Sequence, residues 1–150
     1  KMEIKNLFNN SVKQELIERI NKLTPETQRK WGKMNVAKML AHLQMQIEVA
    51  YGTRIVKGNL LMKLLVPLFK KSLYNEKPWK NGLPTEKTFI TTGESKDFET
   101  EKTKLLGLVE KFSESAIRDT SHPVFGKMTM EQWSHATWKH IDHHLRQFGV

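Results

Sequence analysis

The sequence predicts an all-α protein, a single domain built as a four-helix bundle with a long connection between the first two helices and the last two. Three observations support this prediction. Apolar residues recur at helical spacing in four stretches, capping residues precede those stretches, and no convincing alternating strand is present. A length of 150 residues is enough for one domain with a sizeable core.

Each of the four predicted helices begins at or after a residue that can cap a helix N-terminus. They cover residues 11–23 with Ser11 as cap, 36–51 after Asn35 with Gly52 closing the helix, 98–115 after Asp97, and 129–150, where Thr129 and Gln132 form a capping box. The connection 73–96 is rich in Pro, Gly, Asn, Lys and Thr and holds only a weak strand candidate at 88–92. Because it is too long for a simple linker, we expect it to wrap the bundle or to cover a site.

A shorter apolar stretch, Leu60–Phe69, is interrupted by Lys63, and Pro67 should kink or end a helix there. A helix that is apolar almost all round is either buried or placed at an interface. We favour a core or dimer contact, because so short an apolar run suits a core helix. The alternative is a helix on a membrane surface, which is supported by the lysines in and around the stretch: Lys57, Lys63, Lys70 and Lys71.

Composition limits the chemistry that the chain can perform. There is no cysteine, so any metal must be held by histidines and carboxylates, and the protein supplies no thiol nucleophile of its own. A formal charge of +9 raises the question of nucleic acid, but the basic residues are scattered, are mainly lysines and form no recognisable module. We therefore expect a lysine-rich surface that binds no nucleic acid, although it can attract an anionic small-molecule substrate.

The sequence also bears on where the protein works. It has no signal-peptide layout and no apolar run near the roughly 18 residues that a membrane-spanning helix needs. We expect a cytoplasmic protein without stable membrane insertion.

Three histidines are predicted to point toward the core. His140 and His144, one turn apart, fall inside the apolar face of the last helix, and His42 falls inside the apolar arc of the second. If those helices are neighbours, the imidazoles can hold one Zn, Ni, Co, Fe or Cu ion and leave positions open for water or substrate. The competing interpretation is that they are core histidines bonded to backbone or water. Residues outside the apolar arcs are placed on outer faces: Gln44, Glu48, Glu131, His135, Lys139, Asp142, His143 and Arg146.

Four further residues are candidates for the same site. Gln147 and Gln46 share the arcs with the histidines and can fix an imidazole tautomer or bind substrate, with ordinary boundary packing as the alternative. Trp133 is a candidate for lining a pocket, although tryptophan at helical spacing is more often a core residue. His122 precedes Pro123 in a loop before the last helix, where it is either a general acid or base or a surface residue beside a turn.

Several short motifs resemble the DinB-like superfamily of metal-binding four-helix bundles, and within it a bacterial branch classified as a domain of unknown function. The resemblance covers most of the chain, from the second helix to the C-terminus. The matching pieces are Trp31-Gly32-Lys33-Met34, Met39-Leu40-Ala41-His42-Leu43, the loop His122-Pro123-Val124-Phe125-Gly126, and His140-x-x-x-His144-Leu145-Arg146-Gln147-Phe148.

The resemblance implies that His42, His140 and His144 are a metal triad for a divalent ion, often Zn or Ni, in a bundle that commonly dimerises. Relatives in the superfamily include S-transferases and an isomerase that use low-molecular-weight thiols such as bacillithiol or mycothiol. The leading hypothesis is therefore a metal-dependent enzyme that transfers such a thiol to an electrophilic small molecule, with Gln147 and His122 as candidate catalytic residues. The alternatives are a hydrolase that uses metal-activated water and a non-catalytic bundle that binds a metal or ligand.

Overall fold

The computed structural model describes residues 1–55, 59–82, 96–118 and 126–150, together with the backbone of 121–122. The described part is mostly helical, as predicted. The strand candidate at 88–92 lies outside the described residues. The helices are α1 (Asn10–Asn21), α2 (Val36–Ala50), α3 (Leu60–Phe69), α4 (Phe98–Glu110) and α5 (Met130–Gln147), and two short strands, β1 (Ser121–His122) and β2 (Gly126–Lys127), pair antiparallel before α5.

The predicted helix starts are largely confirmed by their caps. The side chains of Asn35 and Asp97 accept hydrogen bonds from backbone amides in the first turns of α2 and α4. The first helix differs from the prediction, because Asn9 rather than Ser11 is its cap and accepts from the Ser11 amide. An asparagine two residues earlier competes well for this role because its side-chain oxygen reaches the same free amides.

One helix end and one loop also differ from the predictions. The helix that starts at Phe98 ends at Glu110, five residues before the predicted end at 115, and Glu114–Ala116 form a 3₁₀ turn instead. A simple loop was expected before the last helix. Its two ends instead form the short strands β1 and β2, whose backbones pair. These boundaries depend on tertiary contacts, which local periodicity does not encode.

The predicted capping box of the last helix is present in both directions. The Thr129 hydroxyl accepts from the Gln132 amide at 3.1 Å, and the Gln132 side chain accepts from the Thr129 amide at 3.0 Å. This box fixes the start of α5, the helix that carries two of the three candidate ligands.

We expect Thr129→Ala to lower the free energy of unfolding by about 1 kcal/mol, because the Gln132 amide in the first turn loses the hydroxyl that accepts its hydrogen bond. For a chain of this size that corresponds to a melting temperature lower by about 2–4 °C. Thr129→Ser retains the hydroxyl and should lie close to the unchanged protein in the same thermal melt. Equal melting temperatures for the alanine and serine variants would contradict this role of the hydroxyl.

The described helices share one core. α2 packs against α4 and α5, and α1 packs against the same two helices. The core is built from large apolar side chains of all four, such as Leu16, Leu43, Leu105 and Ile141, each of which is fully buried. Because α2 and α5 are direct neighbours, the condition for His42 to meet the last helix is satisfied.

Three polar residues that were placed on outer faces are buried, so those predictions were wrong. Gln44 is covered by α4, where its amide donates to a Glu101 carboxylate oxygen at 2.7 Å. Asp142 is covered by α1 and accepts from Arg19 at 2.8 Å. Lys139 is 1 % exposed and donates to backbone carbonyls in the segment that follows α3. Each helix is in contact on more than one side, so its buried arc is wider than its apolar stripe.

The helix at Leu60–Phe69 exists, but of the predicted core or dimer contact the core contact was wrong, and the dimer contact stays a prediction. Val66 alone among its residues is buried, and Met62 packs against the core from the same side. Pro67 does not stop the helix, which continues to Phe69 before a 3₁₀ turn. None of the helices in the described ranges combines the length and the apolar character that crossing a bilayer requires.

Candidate metal centre

α2 and α5 bring the three predicted histidines together. The Nε2 atoms of His42 and His140 lie 2.9 Å apart. The ring centroids of His42, His140 and His144 are separated by 4.8 to 4.9 Å, with each pair of rings close to perpendicular. Each ring offers one nitrogen, and these nitrogens all lie within 4.8 Å of one another. We call this group the three-histidine centre.

The arrangement is compatible with one shared metal ion. Two nitrogens that each lie about 2.0–2.1 Å from an ion are about 2.9 Å apart at a right angle and about 3.3 Å apart at the tetrahedral angle. The separation of 2.9 Å between His42 and His140 falls at the lower end of this range. The nitrogens of all three residues lie within 4.8 Å of one another, so His144 would complete the set if its ring moved closer to the other two. Three imidazole donors are a set that transition-metal ions use, and they leave coordination positions open.

Gln147 fixes the orientation of one of these rings. Its Nε2 donates to the carbonyl oxygen of Trp31 at 2.8 Å, so its Oε1 must face the other way. That oxygen lies 2.7 Å from Nδ1 of His144, which therefore carries the proton and donates. Nε2 of His144 is then left with a free lone pair, the state that a metal ligand requires.

Gly32 leaves room for this contact. Its φ of +84° lies in the left-handed region that favours glycine, and a Cβ at this position would come within 2.5 Å of the Gln147 amide nitrogen. The Trp31-Gly32 turn and the Gln147 amide are therefore matched in shape as well as in hydrogen bonding. A side chain at position 32 would push the amide away from His144.

We expect Gln147→Ala to weaken metal binding by about 10–100-fold, the effect that loss of a partner behind a histidine ligand usually has. The variant retains all three imidazoles but releases the tautomer and orientation of His144. Zn²⁺ affinity measured by competition with a chromophoric chelator checks this expectation. Gln14→Ala, on the exposed side of α1, is the control and should retain the affinity. Unchanged affinity in Gln147→Ala would show that the amide does not support the centre.

The environment holds two of the rings in the neutral form. Burial lowers the pKa of His140 well below its ordinary value of 6.5, and the neighbouring His42 and His144 lower it further. Burial, together with His42, lowers the pKa of His144 to about 3, although the bond to Gln147 opposes the shift. At neutral pH both imidazoles are uncharged and can donate a lone pair to a cation.

His143, which was placed on the outer face, lies beside the centre, so that prediction was wrong. Its ring is half-buried and its centroid lies 5.2 Å from that of His144. The indoles of Trp31 and Trp79 contact it at centroid distances of 5.7 and 5.3 Å, and Trp79 also lies 6.0 Å from His140. The centre therefore has aromatic neighbours: Trp79 contacts His140 and His143, and Trp31 contacts His143.

Trp79 belongs to the connection that we expected to wrap the bundle or to cover a site, and Lys139 helps to hold it there. The Lys139 ammonium donates to the carbonyls of Ser72, Asn75 and Lys77 at 2.7 to 2.8 Å and lies 5.2 Å from the Trp79 ring. The Trp79 indole N–H also donates to the Ser72 carbonyl. Burial lowers the pKa of Lys139 to about 8. This part of the connection, at least, packs over α5 beside the histidines.

The other candidates from the sequence have different positions. Trp133 is 1 % exposed and lies in the hydrophobic core, and Gln46 is half-buried one turn after His42. Their roles as pocket residues stay predictions. The backbone of His122 pairs with Gly126, but its side chain lies outside what the structure describes. His135 is partly exposed, 3.9 Å from Glu131 and consistent with an outer face.

Sequence patterns missed Trp79 and His143 as neighbours of the centre and did not connect Trp31 to Gln147. One signal was available, since the connection 73–96 was expected to cover a site and contains Trp79. The link between Trp31 and Gln147 spans 116 residues, and helical periodicity carries no information about such a contact.

Comparison with known proteins assigns the chain to a family. The family model described as "Protein of unknown function (DUF1569)" matches residues 4–149. No curated protein and no solved structure matches the chain. The match extends over nearly the whole chain and includes all three histidines of the centre, so the protein belongs to the DUF1569 family.

Proposed function

We propose that this protein is a metal-dependent enzyme of the DinB-like type, which transfers a low-molecular-weight thiol to an electrophilic small molecule. One observation carries the proposal: three imidazoles from two helices bring their ring nitrogens within 4.8 Å of one another, two of them are held neutral by burial, and a partner fixes the tautomer of one. A structural zinc site would use four protein ligands, whereas three leave room for a substrate.

The fold supports the same proposal. α2 and α1 each pack against both α4 and α5, which is the pattern of contacts that a four-helix bundle produces. We infer that these four helices form a DinB-like bundle, with α3 and the connection as additions. The residues that resemble the DinB-like motifs, His42, His140 and His144, are the ones that converge.

The chain's own residues would bind and orient the reactants. The imidazoles would hold the ion in a buried environment, and Gln147 would keep His144 in its ligating tautomer. A divalent ion here, with Zn or Ni as the best candidates, would supply the Lewis acidity that makes a bound thiol a thiolate at neutral pH. A carbon–sulfur bond would form as the bond to the leaving group breaks, with the thiol proton released to solvent. Because the chain has no cysteine, the sulfur must come from a cosubstrate such as bacillithiol.

The experiment is an assay of zinc- or nickel-loaded protein with bacillithiol and a panel of alkyl halides and epoxides, in which loss of free thiol is followed. We expect thiol consumption that depends on protein, metal and electrophile together. His144→Ala is the matched inactive control. Electrophile turnover that is equal with and without thiol would favour metal-activated water and hydrolysis. Tight metal binding without turnover on the panel would favour a binding role.

A further inference from the structure

α3 presents a large apolar face that the described residues leave uncovered. Its six residues on this face are exposed by 44 to 75 %: Leu60, Leu61, Leu64, Leu65, Leu68 and Phe69. At 100° per residue they occupy half of the helix circumference, and Met62 and Val66 attach the other side to the core. Contiguous apolar surface of this kind marks an interaction site more often than isolated exposed leucines do.

The charges around this apolar face are positive, and they indicate what kind of surface it can bind. No aspartate or glutamate occurs from Val49 to Asn75, whereas Lys63, Lys70 and Lys71 lie within α3 or just after it. Lys70 also donates to the backbone of Lys127, so a fourth lysine lies at the same end of the helix. A second copy of the chain docked through the same face would bring these lysines together, and the segment from Val49 to Asn75 offers no carboxylate to pair with them. A negatively charged surface is complementary to both features.

The length of α3 determines how it can meet a membrane. Ten residues of helix extend about 15 Å, half of the roughly 30 Å of a bilayer core. The helix cannot span the bilayer. It can lie in the interface between lipid and water, with its apolar half toward the acyl chains and its lysines among the headgroups. We propose that α3 docks this protein peripherally and reversibly on an anionic lipid surface. This inference does not depend on the metal centre or on its proposed activity.

Flotation with vesicles of known composition tests the proposal. The full chain is mixed with vesicles of phosphatidylcholine alone or of equal parts phosphatidylcholine and phosphatidylglycerol, at low and high salt. We expect binding to the anionic vesicles that weakens as salt is added. Leu61→Glu/Leu64→Glu should abolish binding, since both residues lie at the centre of the apolar face. Lys70→Glu/Lys71→Glu should weaken it by about tenfold or more.

Matched controls separate the alternatives. Lys22→Glu/Lys104→Glu makes the same change in net charge at two exposed positions, one directly after α1 and one on α4, and it should bind like the unchanged protein. No binding to anionic vesicles at low salt would overturn the proposal. If both lysine-pair variants lose vesicle binding equally, the net charge of the protein, and not this face, is responsible for the binding. If light scattering shows a dimer in the unchanged protein and none in the leucine variant, the face belongs to a contact with a second copy. If the leucine variant fails to fold, the face belongs to the chain's own packing.

Discussion

Replacing either His140 or His144 with alanine is expected to reduce bound divalent metal from about one ion per chain to nearly none, since a site of three protein ligands would be left with two. Both side chains project from α5 toward His42, so each removal leaves the helix intact while opening the centre. Metal content by mass spectrometry, after purification without a metal-affinity column and dialysis against zinc, checks the expectation.

His143→Ala and His135→Ala are the matched controls for this prediction. Both remove one imidazole from the same helix, and neither residue belongs to the three-histidine centre. We expect each to retain about one ion per chain. Full stoichiometry in His140→Ala and His144→Ala, or loss in the two controls instead, would mean that the ion is bound by a different set of residues.

Acid is expected to destabilise the metal-free protein strongly, starting near pH 6.5. The pKa values of His140 and His144 are lowered in the folded state, to about 3 for His144, whereas the unfolded chain has the ordinary value of 6.5. Between these limits the unfolded state binds more protons, so stability is complete above about pH 6.5 and is lost as the pH falls toward the folded pKa. Each histidine contributes up to about 1.4 kcal/mol per pH unit, so the pair should cost about 2–3 kcal/mol between about pH 6 and pH 5.

Urea unfolding of chelator-treated protein at several pH values measures this slope. In His140→Leu/His144→Leu two of the titrating rings are gone, and the dependence of the free energy of unfolding on pH between about pH 6.5 and pH 5 should become clearly shallower. Burial also lowers the pKa of His143, which remains in this variant and contributes the rest of the slope. His135→Leu, on the outer side of α5, should retain the full slope. A slope in the double variant as steep as that of the unchanged protein would show that other groups cause the acid sensitivity.

Local signals in the sequence were sufficient for much of the fold. Asn35, Asp97 and the Thr129–Gln132 box have side chains that satisfy free amides within one turn, so their effect can be predicted from neighbouring residues. Lys139 could not be placed in this way. Its burial depends on carbonyls more than 60 residues away, which periodicity on its own helix does not reveal.

The centre itself was predictable for a similar reason. His42, His140 and His144 fall inside apolar arcs, and arcs of neighbouring helices must face each other in a shared core. The environment of the centre was less predictable. His143 lies outside the apolar arc of its helix, so periodicity placed it on the outer face. Trp31 and Trp79, which come from two distant segments, contact its ring there. α3 shows the opposite error for the core half of its prediction, since its apolar sequence suggested a core contact while most of its apolar face is exposed in the single chain.

The most direct test of the central claim is a crystal of zinc-loaded protein measured on both sides of the zinc absorption edge. We predict a single anomalous peak about 2.0–2.1 Å from one ring nitrogen each of His42, His140 and His144. A fully loaded crystal whose peak lies elsewhere, or whose ion contacts fewer than these three imidazoles, would contradict the claim that they share one metal ion.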